Sequence, residues 1–160
     1  MITDYNEISL VPAASKDKEL IFKWRNTPFL IGYGSSGRAV TWSEHSKWFQ
    51  SVLDSNSTTL FVINLKDIPI GQLRFDVLEG DIYIISIYII EEFTGKGIGG
   101  AALKKGISKF ICKNDKRKCV AFIKADNNAS KSFFLRAGFA LDKSFAKVPH
   151  GHVAMKYNPE

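Results

Sequence analysis

From Thr94 to Ala101 the chain reads Thr-Gly-Lys-Gly-Ile-Gly-Gly-Ala, with Gly95, Gly97, Gly99 and Gly100 falling within six positions. An apolar, β-type run ending near Ile90 precedes this segment, followed by the acidic pair Glu91-Glu92. A stretch with helical periodicity follows it. Strand, glycine turn and helix N-terminus together present unpaired backbone N–H groups to an anion. Glycine keeps side chains out of the way, the helix dipole adds partial positive charge, and Lys96 adds a full one. The chemistry this suits is the grip of a pyrophosphate.

The elements that must position this turn can be read on either side of it. Glu7–Val11 reads as a first strand, and Ser15 as the cap of a helix running to about Trp24. Residues 27–41 hold Pro28, Gly32, Gly34 and Gly37 beside Phe29, Tyr33 and Arg38, and are expected to form a flexible loop. Thr41 and Glu44 have capping-box spacing before a helix whose apolar face is Trp48, Phe49, Val52 and Leu53. Strands at 58–65, 70–77 and 82–90, joined by turns at 66–69 and 78–81, predict an antiparallel meander.

Beyond the glycines, Ile98, Leu103, Ile107, Phe110 and Ile111 keep one helical face. Cys119–Ile123 is a buried-type strand, and the strand–helix–strand crossover makes it parallel to 82–90. Residues 126–128 can cap another helix, stopped by Gly138. Phe139–Phe145 and His152–Tyr157 close the chain as an antiparallel pair. The expected class is α/β, more fully a mixed α+β arrangement with helices on both faces of one sheet.

Composition bounds the function. The chain has 160 residues, 45% hydrophobic and 24% charged, which suits one domain over 1–160 with a real core. No apolar run reaches membrane-spanning length, and residues 1–20 lack the pattern of a secretory signal, so a cytoplasmic protein is expected. Cys112 and Cys119 have no metal or disulfide spacing. The net charge of +6 gathers mainly at Lys113, Lys116, Arg117 and Lys118, without aromatic interleaving or a helix-turn-helix pattern. That argues against nucleic acid and for an anionic small ligand.

Gly95-x-Gly97-x-x-Gly100 also fits the dinucleotide fingerprint. That motif, however, belongs on the first strand of repeated βαβ units, and here it follows a meander. A triphosphate loop is excluded, since no Gly-Lys-Ser or Gly-Lys-Thr occurs.

The glycine segment instead resembles the acetyl-CoA-binding motif of the GCN5-related N-acetyltransferase (GNAT) superfamily, Gln/Arg-x-x-Gly-x-Gly/Ala. Thr94 stands at the Gln/Arg position as a departure, and Gly97 and Gly99 at the glycines. Asn127 to Phe139 resembles the family's Asn-x-x-Ala/Ser-x-x-x-Tyr-x-x-x-Gly-Phe motif, with Phe134 replacing the tyrosine. The order of elements resembles the same fold. The resemblance therefore implies the GNAT acyl-CoA acyltransferase fold, with a mostly antiparallel sheet of about seven strands, a parallel splayed central pair and about four helices.

It further implies acetyl-CoA as acetyl donor, no metal, and direct attack by an amine on the thioester. Cofactor contacts would come from Ile87, Tyr88, Ile89, Thr94, Gly95, Lys96, Gly97, Ile98, Gly99, Gly100, Asn127, Ser130 and Phe134, with backbone N–H near Ile89 as a small oxyanion hole. The family tyrosine protonates the leaving thiolate, which Phe134 cannot do; water, Ser130 or Ser132 would donate instead. Base candidates are His45, Asp76, Glu79 and Asp81, with no choice among them from sequence.

For the acceptor, Phe22-Lys23-Trp24-Arg25-Asn26, Glu44-His45 and Trp48-Phe49 resemble a subgroup acetylating amino sugars on nucleotide diphosphates, as in bacterial pseudaminic acid synthesis. Trp24, Arg25, Asn26, Arg38, His45 and Trp48 would then contact substrate. Similar Trp-Arg-Asn segments occur in relatives acetylating protein N-termini, and Phe134 with Thr94 leaves a non-catalytic acyl-CoA-binding module open. The expected partner is a small-molecule amine, a nucleotide sugar first, with a homodimer allowed; neither nucleic acid nor membrane is expected.

Overall fold

The computed structural model describes residues 4–32 and 37–158. Seven strands form one sheet in the order β1-β2-β3-β4-β5-β7-β6. They are β1 (Ile8–Pro12), β2 (Thr58–Leu65), β3 (Ile68–Glu79), β4 (Ile82–Ile89), β5 (Lys118–Lys124), β6 (Phe139–Leu141) and β7 (His152–Tyr157). The helices are α1 (Lys18–Arg25), α2 (Pro28–Ile31), α3 (Trp42–Asp54), α4 (Ile98–Lys113) and α5 (Asn128–Arg136). All strand pairs are antiparallel except β4 with β5. This is the mixed α/β architecture that the resemblance implied, parallel pair included.

Alternation along β2 shows how the sequence divides the core. Phe61 and Ile63 face α4, where Ile98, Leu103, Ile107 and Phe110 join them. Leu60 and Val62 face the other way, onto Ile21 and Trp24 of α1 and Phe49 and Val52 of α3. The four α4 side chains are 3% exposed or less; burial of each contributes roughly 1.5–3 kcal/mol, so packing rather than propensity fixes the helix. Its N-terminus is thereby held rigidly beside the end of β4.

Several boundaries differ from expectation. The 27–41 segment is not all loop: Thr27 caps the single turn α2, its hydroxyl accepting from the Leu30 N–H at 3.4 Å, with Pro28 in the first turn. Tyr33 and Gly34 lie outside the described residues. Ser15 does not cap α1; it opens a 3-10 turn (Ser15–Asp17), and Asp17 Oδ2 accepts from the Ala14 N–H. The turn expected at 66–69 is only Lys66-Asp67, both left-handed, and β3 starts at Ile68 despite Pro69, which pairs beside a bulge at Ile63/Asn64. Among the described residues five helices stand where about four were expected, the short α2 being the addition. The strand expected from Phe139 to Phe145 ends at Leu141.

Candidate active site

β4 and β5 pair only at Ile82↔Lys118, Tyr83↔Cys119 and Ile84↔Val120, then part. The Ile90 N–H donates to the Ile70 carbonyl on β3, so by alternation the main chain of Ile87 and Ile89 faces the gap instead. Two cavities meet at this fork. One, of about 830 Å3, runs along the glycine turn. The other, of about 460 Å3, opens on the α1–α3 side of the sheet. Ile87, Tyr88, Asn127, Ser130 and Phe134 line both.

The larger cavity is walled by Thr94, Gly95, Gly97, Gly99 and Gly100. Thr27, Thr41 and Asn127 cap their helices with side chains, but Gly97, the N-cap of α4, has none to offer. The first-turn amides of α4 therefore remain for a ligand. Gly97 is left-handed (φ 79°), which a side chain adopts only with strain, and a Cβ at position 95, 97 or 100 would meet no protein atom within 4 Å. Open space, bare amides and the cations Lys104 and Arg136 on the same cavity fit the phosphates of acetyl-CoA.

Not every residue expected at the cofactor contributes its side chain. Ile98 is buried in the core at 1% exposure and offers only its backbone. The Thr94 hydroxyl donates to the Glu91 carbonyl at 2.8 Å, which closes the turn. Lys96 stacks its ammonium over Phe93 at 5.5 Å and does not line the cavity.

The wall opposite comes from α5. Asn127 Oδ1 accepts from the Ser130 N–H at 3.0 Å, which starts the helix and leaves the Asn127 amide NH2 for the cleft. Ser130 and Phe134, one helical turn apart, point the same way. Phe134 sits edge-on to Phe133 and Phe139, so packing holds the ring where the family carries a hydroxyl. Ser132 is exposed on another side and lines neither cavity. Of the two serines proposed as proton donors, only Ser130 is at the fork.

The smaller cavity carries Arg25, Arg38, Arg74 and Lys124, and no aspartate or glutamate is among its lining residues. Arg25 lies 4.5 Å over the Trp48 ring, and Arg74 is 5.7 Å from the same ring. Arg38 pairs with Glu44 at 2.8 Å and Arg74 with Asp76 at 2.7 Å. Arg25 makes no ion pair among the described residues; it meets His45 Nδ1 at 3.1 Å. Burial, and then Arg74, pull its pKa below the ordinary guanidinium value. Arginine stays charged nonetheless, so a bound anion would offset that penalty.

The candidate bases stand elsewhere. His45 is fully buried; Nε2–H donates to the Lys18 carbonyl at 2.8 Å and Nδ1 accepts from Arg25. Burial lowers its pKa, and the neutral ring fixes Arg25 from behind. Asp76 accepts from Thr58 and Arg74, Glu79 pairs with Lys147, and none of Asp76, Glu79 and Asp81 lines either cavity. Trp24 is a core residue, edge-on to Tyr88, and Asn26 staples Val40 through both its N–H and its carbonyl. Of the expected acceptor contacts, Arg25, Arg38 and Trp48 line the cleft.

Gln72, Arg74, Lys124 and His152 also line the smaller cavity and were not singled out from sequence. Gln72 accepts from the Tyr88 hydroxyl, whose pKa burial raises. Strand alternation could have placed Gln72 and Arg74 on the Tyr88 face; nothing local marks Lys124 or His152. Among the described residues no group of three His, Cys, Asp or Glu could hold a metal, and no helix is long and apolar enough to cross a membrane.

Comparison with solved structures agrees with this architecture. The ribosomal L7/L12 alpha-N-protein acetyltransferase RimL in complex with coenzyme A is 19% identical, with a TM-score of 0.78 over 94% of this chain and 92% of that one. AAC(6')-Ib in complex with ribostamycin and coenzyme A is 19% identical, at 0.83 over 96% and 94%. Spermidine N-acetyltransferase from Vibrio cholerae in complex with CoA and spermine is 14% identical, at 0.77 over 94% and 94%. At these identities the likeness speaks for the fold. No curated protein matches the sequence. The model of the Acetyltransferase (GNAT) family matches residues 18–139. Most of the chain, including both the glycine turn and α5, falls within that match, and the chain belongs to the GNAT family of acetyl-CoA-dependent N-acetyltransferases.

Proposed function

We propose that the chain, acting over residues 1–160 as one cytoplasmic acetyltransferase domain, acetylates the amino group of a nucleotide-linked amino sugar. The observation that carries this reading is the charge of the acceptor cleft: four cationic side chains and no carboxylate among its lining residues. A diphosphate would neutralise Arg25 through a charge-assisted, bidentate contact and reach Arg38 or Lys124 as further cations. Spermine, and the aminoglycoside held by a structural neighbour, are polycations; here such an acceptor would meet the like charges of Arg25 and Lys124, while Arg38 and Arg74 are already paired with Glu44 and Asp76.

Bound acetyl-CoA supplies an activated acyl group. The residues of this chain do the rest by position. Amides of Ile98 to Gly100 hold phosphate, the Ile87 and Ile89 main chain aligns the pantetheine arm as an added strand, and the Ile89 N–H faces the acyl oxygen. Ser130, at the junction of both cavities, is the hydroxyl placed to return a proton to the departing sulfur. Because a thiol has a pKa near 8.5, Phe134 in place of tyrosine is compatible with turnover.

The test is thiol release from acetyl-CoA over a panel containing a UDP-4-amino sugar, a peptide N-terminus and spermidine. The sugar nucleotide should be turned over with the highest kcat/KM. Release with the peptide or spermidine but not the sugar nucleotide would overturn the acceptor assignment. Tight acetyl-CoA binding without release for any amine would point to a non-catalytic module.

A further inference from the structure

We propose that His152 is the general base that takes the proton from the acceptor amine. His152 opens β7, pairs in register with Lys124 of β5, and lines the acceptor cavity. Val153 packs into the α4-side core, so alternation turns His152 to the opposite face, the one carrying Ser86 and Tyr88. It therefore stands across the β4–β5 gap from the strand that aligns the acyl group.

Its tautomer is set by the chain. His152 Nδ1 lies 2.9 Å from the His150 carbonyl oxygen. A carbonyl only accepts, so Nδ1 carries the hydrogen and Nε2 keeps a bare lone pair. His45 has both ring nitrogens occupied; His152 has one oriented and one available. No aspartate or glutamate lines either cavity, and of the side chains on the smaller one His152 is the one that presents an unprotonated ring nitrogen lone pair. The charged groups sharing that cavity are Lys124 on β5, Arg74 on β3, Arg25 on α1 and Arg38 before α3, all of them cations that cannot serve.

The step balances as follows. The ammonium gives one proton to Nε2, the nitrogen–carbon bond forms as the carbon–sulfur bond breaks, and the Ser130 hydroxyl gives its proton to the departing sulfur while taking the second nitrogen proton. The imidazolium returns its proton to solvent through the open cleft. The products are the amide, the free thiol and one proton.

The experiment compares His152→Gln and His152→Ala with the wild type, using whichever amine of the panel above is turned over best. A general base contributes about 100- to 10,000-fold, so kcat should fall at least about 100-fold in both variants, with KM and acetyl-CoA affinity little changed. Glutamine keeps a donor for the His150 carbonyl, so a merely structural histidine would be rescued by it. Added imidazole should restore turnover to His152→Ala in proportion to its concentration and leave His152→Gln unmoved. Near-wild-type kcat in His152→Gln, absence of imidazole rescue, or no thiol release with any amine would overturn the assignment. Preference for a peptide over the sugar nucleotide would sink the acceptor proposal and leave this one standing.

Discussion

Replacing Gly97 with aspartate and, separately, with asparagine isolates the charge that the α4 N-terminus is built to hold. Both side chains tolerate the left-handed backbone better than other residues do. A Cβ at this position meets no protein atom within 4 Å, so neither variant is forced to repack the fold. An aspartate there can even stabilise the free protein by about 0.3–1 kcal/mol through the helix dipole. A bound diphosphate changes the sign. At roughly 5 Å in a water-like dielectric, each charge pair costs about 0.8 kcal/mol, so two phosphate charges cost about 1.7 kcal/mol. That predicts acetyl-CoA binding about 15- to 20-fold weaker for Gly97→Asp than for Gly97→Asn at low salt. Because the Debye length shrinks to about 3 Å at 1 M salt, the ratio should collapse towards one there. Isothermal titration at two ionic strengths reads both effects, and thermal melts without ligand should show Gly97→Asp no less stable than Gly97→Asn. Equal affinities at low salt, or a ratio indifferent to salt, would refute the placement of the diphosphate on these amides.

Other consequences follow from the packing and the charge pairs. Gly106→Ala should lower the melting temperature, because its Cβ would drive into Leu73 Cδ2 in the core; overpacking of this kind costs about 1–3 kcal/mol. Gly100→Ala, facing open cleft, should leave stability unchanged or slightly raised, and a melt that ranks the two the other way would contradict the packing described. Glu44, held by Arg38 and then by the Thr41 cap, has its pKa lowered from 4.5 to about 2. Its contribution is thus present above pH 4.5 and lost as pH falls from there through about 2, so circular dichroism should show a flatter acid profile in Glu44→Gln than in wild type. Arg25→Gln should raise KM for a sugar nucleotide about tenfold or more, the scale of one lost charged hydrogen bond, with kcat less affected; an unchanged KM would place the diphosphate elsewhere.

What sequence alone revealed was what local patterns encode. The glycines from 95 to 100, the periodicity of Ile98, Leu103, Ile107 and Phe110, the Thr41–Glu44 box and the Asn127 cap are each written in a few consecutive residues, and all appear where expected. Pro69 and Pro28 misled, because proline reads as a breaker but is accommodated beside a bulge and in a first helical turn. The acceptor side was legible only in part, since it is assembled from α1, α3, β3, β5 and β7. His45 lay in a suggestive local context but proves to be a buried prop for Arg25. His152 and Lys124 had no local signal, and only strand pairing brings them to the cleft.

The central claim, that the bare amides at the start of α4 hold the diphosphate of acetyl-CoA, is tested most directly by hydrogen exchange with and without that ligand. Slowed exchange at Ile98, Gly99 and Gly100, with little change at the edge strand β1, is the outcome the structure predicts. Exchange at those three amides unaltered by saturating acetyl-CoA would contradict it.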